Sequence, residues 1–200
     1  MIPPQTLGPP VAWTGLDLEG KRRRLLDVAT AVFTRDGLEA PMETVADEAG
    51  VGVGSIYRCY ASKRDLIAAI VIEQMEGLRA EVADAEADAE AGAALERSIH
   101  RIVERQATNG LVRAALAATS DRREVQLAVG EVSLAWQALI DRARAEGSVR
   151  GDATVMDLRL LFAAARAADE VQPGARGRVV ELLLEALRGD GAGEVTARTG

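Results

Sequence analysis

The stretch 42–63, METVADEAGVGVGSIYRCYASK, predicts two short helices joined by a tight turn, with a third helix beginning at its end. Gly50 should end the first helix, because the turn needs a left-handed residue and glycine adopts that conformation without a Cβ clash. The second helix, at about 53–60, is too short to be a core element of its own. The pattern therefore indicates a helix-turn-helix that binds the DNA major groove. The residues expected to face outwards are Val53, Ser55, Tyr57, Arg58 and Cys59.

Periodic apolar residues predict further helices on both sides of this stretch. A first helix should occupy about 17–35, with Gly37 as its stop. Ser62 is a good cap for a fourth helix, which should continue through an Ala-, Asp- and Glu-rich segment to near Gly92. Further helices are expected at about 93–108 and 111–119, then in a long segment ended by Gly147, and at about 154–169 and 173–188.

Several linked motifs in the amino-terminal third occur in the order and spacing of a known family. They are RLLDVATAVF, DGLEAPMETVA, GVGVGSIYR and SKRDL. With them, the segment 21–71 resembles the DNA-binding region of the TetR/AcrR family of one-component transcriptional regulators, over about a quarter of the chain. The resemblance implies an all-α homodimer of about nine helices. It further implies that three amino-terminal helices bind a palindromic operator, while the carboxy-terminal helices hold a small-molecule effector that weakens DNA binding.

The helix-turn-helix and the resemblance together define a candidate DNA-binding set. Val53 and Cys59 stand where the family often has a polar or basic residue and a histidine, so recognition is expected to be more apolar than usual. Tyr57 and Lys63 match family positions that touch phosphates, whereas Ser55 and Arg58 should lie nearer the base edges. The full set is Arg22, Arg23, Met42, Glu43, Thr44, Val53, Gly54, Ser55, Tyr57, Arg58, Cys59, Tyr60 and Lys63.

The charge of the chain is unusual for a DNA-binding protein, since its formal value is −7. Residues 1–66 hold eight Lys or Arg against nine Asp or Glu, so the remainder carries the other six negative charges. Four of the eight cations form the run 21–24, which can reach phosphates. A solvated surface run is the alternative explanation. The hydrophobic content of 48% suits a sizeable core, and the composition favours helices.

Few residues suggest catalysis, a metal or a cofactor. The single cysteine, Cys59, excludes an internal disulfide and a CxxC motif, and it is more easily explained as a packing or minor DNA-contact residue than as a redox switch. His100 is the only histidine and is expected at the surface. No metal site, cofactor or enzymatic activity is therefore predicted. Neither an export signal nor a membrane span is indicated, and a cytoplasmic location is expected.

The carboxy-terminal helices are expected to supply the effector pocket and the dimer interface. Surplus apolar surface on the last two helices predicts a subunit contact, and Arg113 and Arg166 are noted because each lies in an apolar helical run. The pocket candidates are Met75, Leu78, Ile99, Val103, Arg113, Leu116, Val132, Trp136, Phe162 and Arg166. The interface candidates are Leu158, Leu161, Phe162, Val179, Leu182, Leu183 and Leu187.

The expected organisation is a disordered lead-in at 1–16, a DNA-binding domain at 17–66, a regulatory and dimerisation domain at 67–190 and a flexible tail at 191–200. A repressor released from operator DNA by a small molecule is the favoured function. An activator or an interaction module on the same scaffold is the main alternative, and a helical-bundle enzyme comes third.

Overall fold

The computed structural model of the chain describes residues 13–86, 88–108 and 110–189. Nine α-helices lie in these ranges, which confirms the all-α fold. Of the predicted lead-in, residues 1–12 lie outside the described residues, while Trp13–Gly15 form one 3-10 turn. The predicted tail at 191–200 lies outside them too. The helices are α1 Leu18–Asp36, α2 Met42–Ala49, α3 Val53–Cys59, α4 Lys63–Glu86, α5 Ala91–Thr108, α6 Gly110–Thr119, α7 Arg123–Ala145, α8 Val155–Val171 and α9 Arg176–Leu187.

Helices α1, α2 and α3 pack on one another around a small apolar core. Phe33, Val45 and Ile56 are among its fully buried side chains.

The turn between α2 and α3 has the predicted form, because Gly50 is left-handed with φ 69°. Its N–H donates to Asp47 O at 3.1 Å, and the N–H of Val51 donates to Ala46 O. These two hydrogen bonds close the end of α2.

Ser62 caps α4 as predicted. Its hydroxyl accepts a hydrogen bond from the Asp65 N–H at 3.1 Å and donates one to the Asp65 carboxylate at 2.8 Å. The same helix is tied to α6, because the Arg64 guanidinium donates from two nitrogens to Ala118 O, each at 3.1 Å. The first turn of α4 therefore holds the carboxyl end of α6.

The described residues divide into two compact units. The first contains 13–71 and 111–119, and the second contains 72–86, 88–108, 110 and 120–189. The boundary thus falls inside α4, after Val71 rather than after residue 66. The division also differs from the expected domains in placing α6 with the helix-turn-helix.

The second unit is built from the rest of α4 with α5, α7, α8 and α9. Helix α5 packs against α7, and α8 packs closely against α9. Ile99, Leu139 and Leu158 are fully buried in its core. Two predicted helix limits are wrong here: α4 ends at Glu86 rather than near Gly92, and α9 begins at Arg176, after a turn in which Gly174 has φ 86°.

The start of α5 is set by a side chain distant in sequence. The Glu146 carboxylate accepts hydrogen bonds from the N–H groups of Ala91 and Gly92, at 3.0 and 3.1 Å. These two bonds, with a smaller contribution from Arg142, hold the pKa of Glu146 below its usual value. A carboxylate at the end of α7 thereby caps α5 and satisfies two of its free donors.

We expect Glu146→Gln to lower the melting temperature at neutral pH by a few degrees, because an amide accepts these bonds less strongly. The folded-state pKa is lowered, so the stabilisation is complete above the ordinary glutamate pKa of about 4.3 and is lost as the pH falls through the lowered value. The variant should therefore differ from the wild type at neutral pH and converge with it in acid. Thermal unfolding across this range tests the prediction, with the exposed Glu170→Gln as control. Equal melting temperatures at neutral pH would contradict it.

Candidate nucleic-acid interface

Helix α3 presents a polar and aromatic face to solvent. Ile56 points into the core of the first unit, whereas Tyr57 is 47% exposed and Arg58 is exposed beside it. The Arg58 guanidinium donates to Ser55 Oγ at 3.0 Å, because residues three apart lie on the same side of a helix. This contact holds the guanidinium group and the hydroxyl together on the outward face of α3. Both groups can form hydrogen bonds with the edges of bases.

Two members of the predicted DNA-binding set are wrong as side-chain contacts. Cys59 is only 6% exposed and forms part of the core, so it is not on the outward face of α3. Met42 is buried at the start of α2. The helical period explains why Cys59 is buried. Cys59 lies three residues after the buried Ile56 and therefore on the same inner face of α3. Among the other members, Glu43 and Gly54 are exposed, and Thr44, Val53 and Tyr60 are half-buried.

The arginine run of α1 has a role that the sequence did not indicate. Arg22 donates from Nε and Nη2 to Cys59 O, at 3.3 and 3.1 Å, and Arg24 donates to Ala49 O at 3.2 Å. These carbonyls lie at the carboxyl ends of α3 and α2, where helix geometry leaves them without partners. Arg22 also lies 5.8 Å from the centre of the Tyr60 ring, and the Tyr60 hydroxyl donates to Arg22 O at 3.2 Å. Both helices of the motif are thus held at their ends by α1.

Arg22, which was predicted to contact DNA, thus donates to a carbonyl of its own chain. Arg23 is exposed on the same run. Lys63 is half-buried at the start of α4, with its Nζ 5.6 Å from the centre of the buried Phe33 ring. No local pattern could have separated Arg22 from Arg23, since the carbonyl partner of Arg22 lies 37 positions away in the sequence.

Gly54 lies in the first turn of α3 and has open space around it. A Cβ added there would meet no atom of the chain within 4 Å. Packing within the protein therefore does not require glycine at this position. A glycine on an exposed reading helix is suited instead to close approach of the backbone to a partner.

We expect Gly54→Ala to stabilise the free protein by about 0.5–1 kcal/mol through helix propensity, yet to weaken DNA binding, because the added methyl group lies between the helix and the groove. Thermal unfolding and DNA titration measure the two effects. Gly130→Ala is the matched control, since Gly130 is also helical, exposed and free of nearby atoms. Gly54→Ala with wild-type affinity for DNA would remove this turn of α3 from the interface.

Most of the predicted effector residues lie in the second unit. Met75, Ile99, Val103, Val132 and Trp136 are buried, and Trp136 packs on Phe162 with ring centres 6.0 Å apart. Arg113 and Arg166 are exposed, although each lies in an apolar helical run. Arg113 and Leu116 belong to the first unit, whereas the others belong to the second. Leu78, Leu116 and Phe162 are half-buried.

Two cavities lie in the second unit. One, of about 190 Å³, is bordered by α4 and α7 and includes Met75, which is the single predicted effector residue on its wall. The other, of about 240 Å³, lies between α4 and α5 and includes none of them. The remaining residues on the wall of the smaller cavity are Ile72, Glu76, Arg79, Glu124, Leu127, Ala128 and Glu131.

The predicted dimer residues fall on two faces of α8 and α9. Leu158, Leu161 and Leu187 are buried within their own chain, so their assignment to a subunit interface is wrong. Phe162, Val179 and Leu183 are half-buried, and Leu182 is exposed. The exposed side chains of α8, among them Leu160 at 62% exposure, are not in the predicted interface set. Both faces of this helix are leucine-rich, so periodicity alone did not identify the outer one.

The described ranges were also searched for membrane spans and for metal ligands. No helix among them combines the length and apolar character of a membrane span. Nor do the described residues bring three or more histidine, cysteine or acidic side chains together as metal ligands. His100 has its Nε2 3.4 Å from the Glu181 carboxylate, on the surface between α5 and α9.

Comparison with family models gives two matches. Residues 25–70 match the model described as bacterial regulatory proteins of the tetR family. Residues 90–189 match the carboxy-terminal domain of the SbtR-like transcriptional regulators. The two models describe regulatory domains rather than enzymes. Comparison with curated protein sequences gives no match.

Solved structures of similar fold cover most of the chain. A TetR transcriptional regulator, SCO0520 from Streptomyces coelicolor, is 27% identical, with a TM-score of 0.64 over 84% of this chain and 99% of that one. SmeT from Stenotrophomonas maltophilia, the repressor of the multidrug efflux pump SmeDEF, is 22% identical, with a TM-score of 0.64 over 88% and 94%. A complex of SmeT with triclosan is 21% identical, with a TM-score of 0.59 over 85% and 92%. At these lower identities the likeness to SmeT concerns the fold alone.

Proposed function

Because the chain belongs to the TetR family of DNA-binding transcriptional regulators, we propose that it is a homodimeric repressor, which a small molecule releases from a palindromic operator. The observation that carries the DNA-binding part is the outward face of α3, where Arg58 is held by Ser55 beside the exposed Tyr57. Operator DNA in a bacterium lies in the cytoplasm, and we place the protein there.

A dimer is part of the proposal because one short reading helix buries little surface on DNA. Two such helices, about 34 Å or a multiple of that apart, can bind the two halves of a palindrome. The exposed apolar side chains Met156, Leu160 and Leu182 on α8 and α9 suit a contact between two copies. This outer face replaces the buried leucines as the proposed interface.

We extend repression and ligand release to this chain from a structural neighbour that shares its fold. SmeT is described as a repressor and has been solved with triclosan bound. For a ligand to release DNA, it must bind better to the conformation that does not fit the operator. Helix α4 is the proposed lever, because it begins directly after α3, continues to Glu86 and holds α6 through Arg64. By linkage, operator DNA must weaken ligand binding by the same factor.

Selection of bound fragments from genomic DNA tests the function. We expect enrichment of a palindrome, with affinity that falls steeply as salt is raised. Transcription from the selected promoter, measured with and without the protein, should be lower when the protein is present. Higher transcription would favour the activator alternative, and failure to select any sequence would favour an interaction module.

A further inference from the structure

Helix α3 has few means of its own to hold its position. It is only seven residues long, and the residue before it, Gly52, has no side chain with which to cap it. Gly54 in its first turn lowers the helix propensity further. A helix of this length is marginal in isolation, because its stability comes mainly from packing on other elements. The direction in which α3 presents Arg58 therefore depends on contacts that the rest of the chain supplies.

A polar contact at the carboxyl end of α3 comes from α1. The Arg22 guanidinium donates to Cys59 O from two nitrogens, which also places its positive charge at the negative end of the α3 dipole. Tyr60, directly after α3, makes the contact in the opposite direction. Its hydroxyl donates to Arg22 O, and its ring lies beside the Arg22 guanidinium. Arg22 and Tyr60 thus form a clamp between α1 and the last turn of α3.

The form of this contact separates two roles for Arg22. A guanidinium carries five N–H donors in a planar fork, and the nitrogens that hold Cys59 O are Nε and Nη2. Neutralising a phosphate does not need such a fork, since the compact ammonium group of lysine binds phosphate as a point charge. The use of the fork on a carbonyl of α3 therefore favours a role within the protein.

We propose that Arg22 is a positioning residue for DNA recognition, which acts through α3 rather than by touching a base. The clamp holds the last turn of α3 in the free protein, so binding does not have to order the helix first. Contacts to base edges need an exact orientation of the helix, whereas phosphate contacts carry no sequence information. Loss of the clamp should therefore weaken the preferred operator more than unrelated DNA. The inference rests on the proposed function, because it gives Arg22 a part in operator recognition.

Cys59 provides a direct probe of the clamp. It is the single cysteine of the chain and lies buried in the last turn of α3. A thiol reagent reaches a buried cysteine when the surrounding structure opens locally. We expect Arg22→Gln to raise the rate at which dithionitrobenzoate reacts with the folded protein about tenfold, without DNA present. Arg24→Gln is the matched control and should leave the rate nearly unchanged, because Arg24 lies on the same helix but donates to Ala49 O at the end of α2.

Titration of operator DNA gives the second measurement. Arg22→Gln should weaken binding to the preferred operator about tenfold and lower its preference over unrelated DNA. Arg22→Lys keeps the charge but not the fork, so it should retain the salt dependence of binding and still lose selectivity. Its Cys59 thiol should also react faster than that of the wild type. Tyr60→Phe removes the hydroxyl that donates to Arg22 O and should raise the thiol rate by a smaller factor.

The variants should fold, because Arg22 is exposed, and circular dichroism checks their helix content. A wild-type thiol rate in Arg22→Gln would overturn the clamp, and so would an equal rise in Arg24→Gln, which would indicate a general loss of stability. Wild-type operator affinity and selectivity in Arg22→Lys would overturn the positioning role and leave Arg22 as a phosphate contact. The thiol measurement needs no DNA. Failure of the wild type to bind any operator would refute the proposed function, whereas intact operator binding with an unchanged thiol rate would refute the clamp alone.

Discussion

Leu160→Asp should convert the protein into folded monomers and weaken operator binding by about a hundredfold or more. Leu160 is already exposed on α8, so a carboxylate there costs little in the isolated chain. In a dimer formed by α8 and α9, the same carboxylate would be buried against apolar side chains without a partner. Leu182→Asp on α9 should act in the same way. Sedimentation gives the oligomeric state, circular dichroism gives the helix content, and titration of operator DNA gives the affinity.

Leu134→Asp is the matched control. Leu134 is exposed on α7, outside the proposed interface, so this variant should remain a dimer with wild-type affinity. Leu161→Asp is unsuitable as a test, because Leu161 is 1% exposed and an aspartate there would disrupt the fold itself. A Leu160→Asp, Leu182→Asp double variant that remains a dimer would refute the interface, and a monomer that retains full operator affinity would refute the need for a dimer.

The helix-turn-helix could be predicted because its signals are local. Gly50 needs a left-handed conformation, and Ser62 satisfies the N–H of the first turn of α4 from the position just before that helix. Both depend only on residues a few positions away. The family resemblance over the same segment rests on the same short-range motifs.

The features that were missed depend on residues distant in sequence. Glu146 caps α5 from 55 positions away, so the sequence around Ala91 could not show which residue caps that helix. The carbonyl partner of Arg22 is 37 positions away, which concealed its role in holding α3. On α8, leucines occur on both the buried and the exposed face, and only the packing against α9 shows which face is free. Apolar spacing predicts a helix more reliably than it predicts what the helix faces.

Arg58→Ala should weaken binding to the preferred operator by about 1–3 kcal/mol, or roughly tenfold to hundredfold, and relax the preference at one position of each half-site. Arg58 is exposed on α3, and its contact with Ser55 Oγ holds the guanidinium on the outward face. A guanine edge accepts two hydrogen bonds in the geometry that a guanidinium fork offers. Arg58→Lys should therefore restore little of the selectivity, since an ammonium group cannot form that fork.

Substitution of a residue that contacts a phosphate should change affinity without changing selectivity. This difference identifies which kind of contact Arg58 makes. Lys63→Ala should weaken all sequences similarly and reduce the salt dependence of binding by about one counterion. Tyr57→Phe should also weaken all sequences similarly, because a hydroxyl that donates to a phosphate is not sensitive to the base. Arg123→Ala, an exposed arginine at the start of α7, is the control and should change neither affinity nor selectivity. If Arg58→Ala instead lowers affinity equally for all sequences and reduces the salt dependence, Arg58 binds a phosphate, and selectivity must come from Ser55 and the apolar surface of Val53.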